Sequence, residues 1–150
     1  MSFHLKLLFF ALILLWSLGI FVEFLIPYFN NLALFYPSLK FLYSHVCHQQ
    51  PEKIISIEGH NLLVCSRCTG IYIGSLISSA LILFIRINKI NGIKYLLLAV
   101  TPMIVDVILY TFGFYSYSKE IAFFTGVLFG IVGIAYIYNG IQFLLIKKTE

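Results

Sequence analysis

Four long apolar stretches, at residues 7–26, 69–87, 93–114 and 121–146, constrain this chain more than any other feature of its sequence. A helix of about 20 mostly apolar residues is long enough to cross the hydrocarbon core of a bilayer. Hydrophobic residues make up 61% of the 150 positions and charged residues only 11%, which leaves little sequence for a water-soluble domain. The sequence therefore predicts one all-α domain, a bundle of four transmembrane helices in the lipid bilayer.

The first apolar stretch has an alternative interpretation as a secretory signal, because Lys6 precedes it. Against that interpretation, the stretch is long, contains Trp16 and Glu23, and has no small-residue cleavage pattern before Pro27. We therefore expect the first stretch to be retained as a membrane helix.

The distribution of Lys and Arg predicts the orientation of the helices. With four spans, both termini and the middle loop share one side, which carries six of the ten basic residues: Lys6, Arg86, Lys89, Lys94, Lys147 and Lys148. The other side is longer and carries four: Lys40, Lys53, Arg67 and Lys119. Since cytoplasmic segments are enriched in basic residues, we expect a cell-membrane protein with cytoplasmic termini and the long 27–68 loop outside. Basic residues flanking helices also explain the net charge of +4, so no nucleic-acid partner is expected.

Small residues spaced about one helical turn apart predict close packing of the second and fourth helices. Gly70, Gly74 and Ser78 recur every four residues in the second helix, and the fourth has Gly126 and Gly130, with Gly133 three residues further on. Such residues form a flat helix face that another backbone can approach closely.

The three cysteines fall within 22 consecutive positions, from Cys47 in the loop to Cys65 and Cys68 at the start of the second span. Three thiols this close, two of them in a CxxC pattern, suit either a bound metal or thiol–disulfide chemistry. A tetrahedral zinc site takes four nitrogen or sulfur ligands, so three thiolates need one more. The number of cysteines favours a metal site, with zinc as the first choice and iron or copper as alternatives.

Three histidines could supply the fourth ligand. His45 is sterically easy because it lies two positions from Cys47, His48 is directly adjacent, and His60 lies further along the loop. A closed site would fasten the loop to the second helix, whereas a site with water in the fourth position could be catalytic.

Redox chemistry is the main alternative to a metal site. A CxxC at a helix N-terminus has a lowered thiolate pKa, and Arg67 between the two cysteines would favour the anion as well. The architecture is similar to that of four-helix membrane proteins that pass electrons from thiols to quinone, but those use a second cysteine pair that this chain lacks. A plain structural disulfide, or a metal transporter or chaperone, are further alternatives. Four short helices make a small pore, so a transporter would require a homo-oligomer.

Asp106 lies deep inside the third apolar stretch. A carboxylate at that depth is unfavourable by several kcal/mol unless it is protonated, paired or directed into a cavity. Arg67 lies on the same predicted side and can reach inward along the second helix, which makes it a candidate partner for Asp106. Asp106 is then either a functional residue or a structural one, in an ion pair or as a protonated carboxyl satisfied by a neighbouring helix.

Two motifs in the chain resemble the signature of a family of small prokaryotic membrane proteins of unknown function. They are CHQxPE at 47–52 and CxRCxGxYxG at 65–74. The resemblance extends to Pro102 and Asp106 in the third span and to the TGxxxG pattern at 125–130 in the fourth. It implies His48 as the leading fourth ligand and adds Glu52 to the polar residues near the site. It identifies no reaction and no partner protein.

Overall fold

The computed structural model describes residues 3–29, 31–57, 59–84 and 93–147, which form six α-helices and one β-hairpin. The helices are α1 (Phe3–Gly19), α2 (Val22–Leu25), α3 (Leu32–Ser44), α4 (Ser66–Phe84), α5 (Ile93–Thr111) and α6 (Lys119–Lys147). The hairpin strands, β1 (Ile54–Ile57) and β2 (His60–Cys65), pair in antiparallel orientation after a short 3₁₀ turn at Pro51–Lys53.

Three of the described helices are long and apolar enough to cross a membrane: Ser66–Phe84 of α4, Ile93–Thr111 of α5, and Lys119–Leu144 of α6. Their described ends lie within three residues of the ends predicted from the sequence, and α4 begins at Ser66 where residue 69 was predicted. The predicted end of that span at residue 87 lies outside the described residues, as do Arg86, Lys89 and Lys148.

The first apolar stretch is helical over a shorter length than predicted. α1 contains 17 residues and ends at Gly19, where the sequence predicted a span to residue 26. The Tyr43 hydroxyl donates to the carbonyl oxygen of Trp16, and the same hydroxyl occupies the space that a Cβ on Gly19 would need. The Leu63 amide donates to the Ile20 carbonyl oxygen at 3.3 Å. Beyond Gly19 the Ile20 amide donates to Ser17 at 3.4 Å and the Phe21 amide to Leu18 at 3.1 Å, and the helix resumes as α2 at Val22. Contacts with the loop thus accompany a short break in the helix.

The hairpin adds one two-stranded element to the predicted all-α bundle. Ile54 pairs with Cys65 and Ile57 with His60, and Gly59 turns the chain with φ at +84°. Gly adopts this left-handed conformation without the steric penalty of a side chain. The strands are only four and six residues long, too short to stand out as elements in the sequence.

The 27–68 loop packs on the bundle through one face of α3. Leu32, Tyr36, Leu39 and Tyr43 recur at helical spacing and belong to an apolar core with Ile20, Val22, Cys47, Leu63 and Val64. The opposite face of α3 exposes Leu34, Phe35, Phe41 and Leu42. A helix of 13 residues is about 20 Å long, too short to cross a bilayer.

α4 and α6 pack with their backbones in close approach, as the small residues predicted. A Cβ on Gly70 or Gly74 would collide with the α6 backbone at Phe123 or Val127. A Cβ on Gly126 or Gly130 would collide with the α4 backbone in the same way. Gly133 takes no part, because nothing lies within 4 Å of its Cβ position.

Candidate metal centre

The end of α3 delivers Cys47 to the protein interior. The Cys47 amide donates to the Tyr43 carbonyl oxygen at 2.9 Å, which continues the last helical turn by one further hydrogen bond. The side chain is 5% exposed and belongs to the apolar core beneath the loop. The chain then leaves the core through Gln49, whose φ of +48° reverses its direction.

The junction of β2 and α4 fixes the other two thiols. Cys65 is the last residue of β2, and Cys68 lies in the first turn of α4. The Thr69 hydroxyl donates to the Cys65 carbonyl oxygen at 3.1 Å, which secures the change from strand to helix. Both thiols are half-buried, and both belong to residues in regular secondary structure.

The three sulfur atoms meet at one point. The Sγ atoms of Cys47, Cys65 and Cys68 lie within 4.8 Å of one another, and the three cysteines are free thiols. Sulfurs bound to one tetrahedral zinc ion at about 2.3 Å are roughly 3.8 Å apart, so a small inward movement would bring all three to one ion. The donor set thus fits a thiophilic metal.

Hydrogen bonds within the cluster favour a thiolate. The Cys65 amide donates to the Cys47 sulfur at 3.2 Å. Hydrogen bonds from the Cys65 and Cys68 thiols, with the backbone amides of Cys65 and Gln49, hold the pKa of the Cys47 thiol well below its usual value. The pKa of Cys65 is raised, first because its thiol donates to Cys47 and further because it is partly buried. The cluster therefore shares one easily formed negative charge.

Among the described residues, the group of mutually close ligand atoms contains the three cysteines and no histidine. His48 follows Cys47 directly but is exposed. His45 is also exposed, and its Nδ1 lies 2.8 Å from the Phe41 carbonyl oxygen. The ring of His60 packs against Phe24 with a centroid separation of 5.6 Å. Glu52 lies exposed in the 3₁₀ turn.

Arg67 is directed away from the thiols and toward α5. Its guanidinium pairs with the Asp106 carboxylate, as expected from the sequence, and the Tyr115 hydroxyl donates to the same carboxylate. Asp106 is 4% exposed and the Arg67 side chain 22%, so the carboxylate is buried in the bundle and the guanidinium is partly exposed. Because the Arg67 guanidinium is paired with Asp106, it stabilises a Cys thiolate less than expected from the sequence. The hydrogen bonds to the Cys47 sulfur stabilise the thiolate instead.

Several residues around the thiols were not singled out from the sequence. The Lys53 ammonium lies over the rings of Tyr110 and Tyr117, at 4.7 and 5.3 Å from their centroids. The Tyr117 hydroxyl is 2.7 Å from that of Ser66, and Lys119 donates to the Ile54 carbonyl oxygen at 2.6 Å. These contacts join the hairpin to the α5–α6 connection. Isolated lysines and tyrosines gave no signal of such long-range contacts.

Residues 47–137 match a family described as "Predicted membrane protein (DUF2085)". The match begins at the first thiol and ends within α6, so it contains the whole Cys cluster and the Arg67–Asp106 pair. The chain belongs to this family. Membership agrees with the apolar helices, and it assigns no activity.

Two archaeal proteins resemble the chain over most of its length. An uncharacterised protein of Methanocaldococcus jannaschii is 36% identical over 139 residues, which cover 85% of this chain and 88% of the relative. An uncharacterised protein of Methanothermobacter thermautotrophicus is 31% identical over 105 residues, covering 69% of this chain and 94% of the relative. No solved structure matches the chain. The family description and the three long apolar helices agree that the chain is a membrane protein.

Proposed function

We propose that this protein binds one metal ion, zinc by the chemistry of its donors, at a Cys47–Cys65–Cys68 site on the outer side of the cell membrane. The observation that carries the proposal is the approach of three free thiols to within 4.8 Å of one another. His48 remains the leading fourth ligand, and a side-chain rotation or a water molecule would complete a tetrahedron. Such a site fastens the loop carrying Cys47 to the N-terminus of α4.

The test is the metal content of the purified protein. Full-length protein extracted in detergent without chelators is expected to contain about one zinc per chain by inductively coupled plasma mass spectrometry. Cys47→Ser, Cys65→Ser and Cys68→Ser should each lose most of it, because zinc in such sites is held by thiolates. A Met103→Leu variant, which alters no sulfur of the cluster, serves as the control. Wild-type protein that stays metal-free after incubation with zinc would refute the proposal.

The competing proposal is a quinone-linked thiol oxidoreductase. It is supported by the low pKa of Cys47 and by the position of that sulfur beside both thiols of the CxxC. Two thiols would release two electrons and two protons to a quinone as they form a disulfide. Thiol counting on unreduced protein separates the two proposals: a metal site yields three free thiols after chelation, whereas a disulfide leaves one.

The proposal includes four membrane spans, with α1 as the first. α1 contains 17 residues, at the lower limit for a span. The Lys6 ammonium donates to the Ile82 carbonyl oxygen at 3.0 Å, so α1 begins beside the last turn of α4. The Ile20 carbonyl, at its other end, accepts a hydrogen bond from β2 just before α4 begins. α1 thus accompanies α4 over nearly its full length.

With four spans, both termini are expected in the cytoplasm, because their side carries six of the ten basic residues. A reporter that is active only in the cytoplasm should therefore be active when fused after Glu150. The same reporter inserted between Gln50 and Pro51 should be inactive. Activity of an export-dependent reporter at the C-terminus would reverse the orientation and place the thiols in a reducing compartment.

A further inference from the structure

Gln49 has an unusual backbone conformation beside the metal centre. Its φ of +48° lies in the left-handed region, which residues with a Cβ rarely adopt. Among the described residues other than glycine, it alone has a positive φ. Such a conformation persists only where the surrounding contacts determine it, and it is concentrated at functional sites.

The side chain of Gln49 supplies those contacts. Its Nε2 atom donates to the Leu63 carbonyl oxygen at 2.8 Å and to the Lys40 carbonyl oxygen at 3.3 Å. Lys40 belongs to α3, which leads to Cys47, and Leu63 belongs to β2, which leads to Cys65. One amide group therefore joins the two segments that bring these thiols together.

The backbone of Gln49 acts on the same site. Gln49 follows Cys47 by two positions, so its left-handed turn sets the direction in which the chain leaves the cysteine. The side-chain hydrogen bonds to Leu63 and Lys40 hold that turn. Loss of the side chain would therefore release the Cys47 sulfur from its position.

We propose that Gln49 is a positioning residue of the metal centre, whose side-chain amide holds Cys47 in place for an ion shared with Cys65 and Cys68. The inference rests on the proposed metal function. Groups that orient metal ligands without touching the ion typically change metal affinity by about 10–100-fold when they are replaced. A change of this size is expected here.

Gln49→Glu is the sharpest variant, because it keeps the size of the side chain and replaces the Nε2 donor with an oxygen that faces two carbonyl oxygens. Gln50→Glu is the matched control, since it makes the same change at the exposed neighbouring position. Zinc affinity is measured on full-length protein in detergent by competition with a chromophoric chelator. We expect the Gln49→Glu dissociation constant to rise by about 10–100-fold, and the Gln50→Glu constant to stay at the wild-type value.

A spectroscopic measurement separates positioning from general stability. Cobalt replaces zinc in thiolate sites, and its visible and near-ultraviolet bands report the sulfur ligands. Gln49→Glu should lose part of the sulfur-to-cobalt charge-transfer intensity, because Cys47 no longer reaches the ion. The Gln50→Glu spectrum should match that of the wild type.

Gln49→Gly keeps the inference testable if the Glu variant does not fold. Glycine adopts the left-handed turn without strain, so this variant lacks only the side-chain hydrogen bonds. Its zinc affinity should also fall, and wild-type affinity in Gln49→Gly or in folded Gln49→Glu would overturn the positioning role. Wild-type protein that binds no metal would instead overturn the proposed function, so the two failures are distinguishable.

Discussion

Asp106→Ala is expected to lower the free energy of unfolding by about 3–5 kcal/mol, the typical effect of removing one partner from a buried ion pair. The Asp106 side chain is 3% exposed and accepts hydrogen bonds from the Arg67 guanidinium and the Tyr115 hydroxyl. Without the carboxylate, the Arg67 charge is left without its partner inside the bundle, where its Nε is already buried without a hydrogen-bond acceptor. Unfolding in mixed detergent micelles, followed by far-ultraviolet circular dichroism, measures the change.

The double variant Arg67→Met with Asp106→Leu distinguishes an unpaired charge from lost packing. Replacing both members of a buried pair by apolar residues of similar volume is often neutral or stabilising. The double variant should therefore recover most of the stability that Asp106→Ala loses. Equal instability of the two variants would show that the shape of the carboxylate, and not its charge, accounts for the effect.

Gly130→Ala is expected to destabilise the bundle by about 1–3 kcal/mol, as overpacking does. A Cβ at this position would meet the Ile71 carbonyl carbon and the Ser75 nitrogen, both at 3.0 Å, and the Ile71 carbonyl oxygen more closely still. These are backbone atoms of α4, so they cannot rotate away as a side chain would. The two helices must separate, and the contacts along their interface weaken together.

Gly133→Ala provides the matched control on the same helix. Nothing lies within 4 Å of the Cβ position, and alanine favours a helix over glycine by up to about 1 kcal/mol. The control should therefore be neutral or slightly stabilising, and the same unfolding assay compares the two variants. If Gly130→Ala and Gly133→Ala were equally stable, α4 and α6 would not be in backbone contact in the membrane.

The sequence predicted those parts of the structure that depend on composition and on the spacing of residues along a helix. The spans of α4, α5 and α6 follow from long apolar runs, and the α4–α6 contact follows from the spacing of Gly70, Gly74, Gly126 and Gly130. The meeting of the three thiols follows from the close spacing of the cysteines. The pairing of Arg67 with Asp106 follows from the free-energy cost of an isolated charge in lipid. The metal itself and its fourth ligand remain predictions.

The remaining parts depend on contacts between distant residues. At the end of α1, Tyr43, 24 positions later, occupies the space beside Gly19 and donates to the Trp16 carbonyl oxygen. The role of Gln49 depends on a left-handed turn and on two carbonyl oxygens from separate elements. Gly19 is a residue type common at helix ends, but nothing near it in the sequence indicates the contact with Tyr43. The Cys-His-Gln motif at 47–49 contains Gln49, but it does not indicate that this side chain joins α3 to β2.

Because α4 and α6 are in close backbone contact, the backbone that carries Cys65 and Cys68 is held more firmly than the segment that carries Cys47. Cys65 and Cys68 lie at the N-terminal end of the most tightly packed helix pair, whereas Cys47 lies on a segment held by one face of α3, the hairpin and a few hydrogen bonds. Cooperative units of a protein open separately when their contacts differ in strength. We therefore expect the Cys47 segment to open at a lower free energy than the α4–α6 pair. An ion bound to the three sulfurs would add its binding free energy to the closed conformation of the Cys47 segment. The site would then join two parts of the protein that differ in stability.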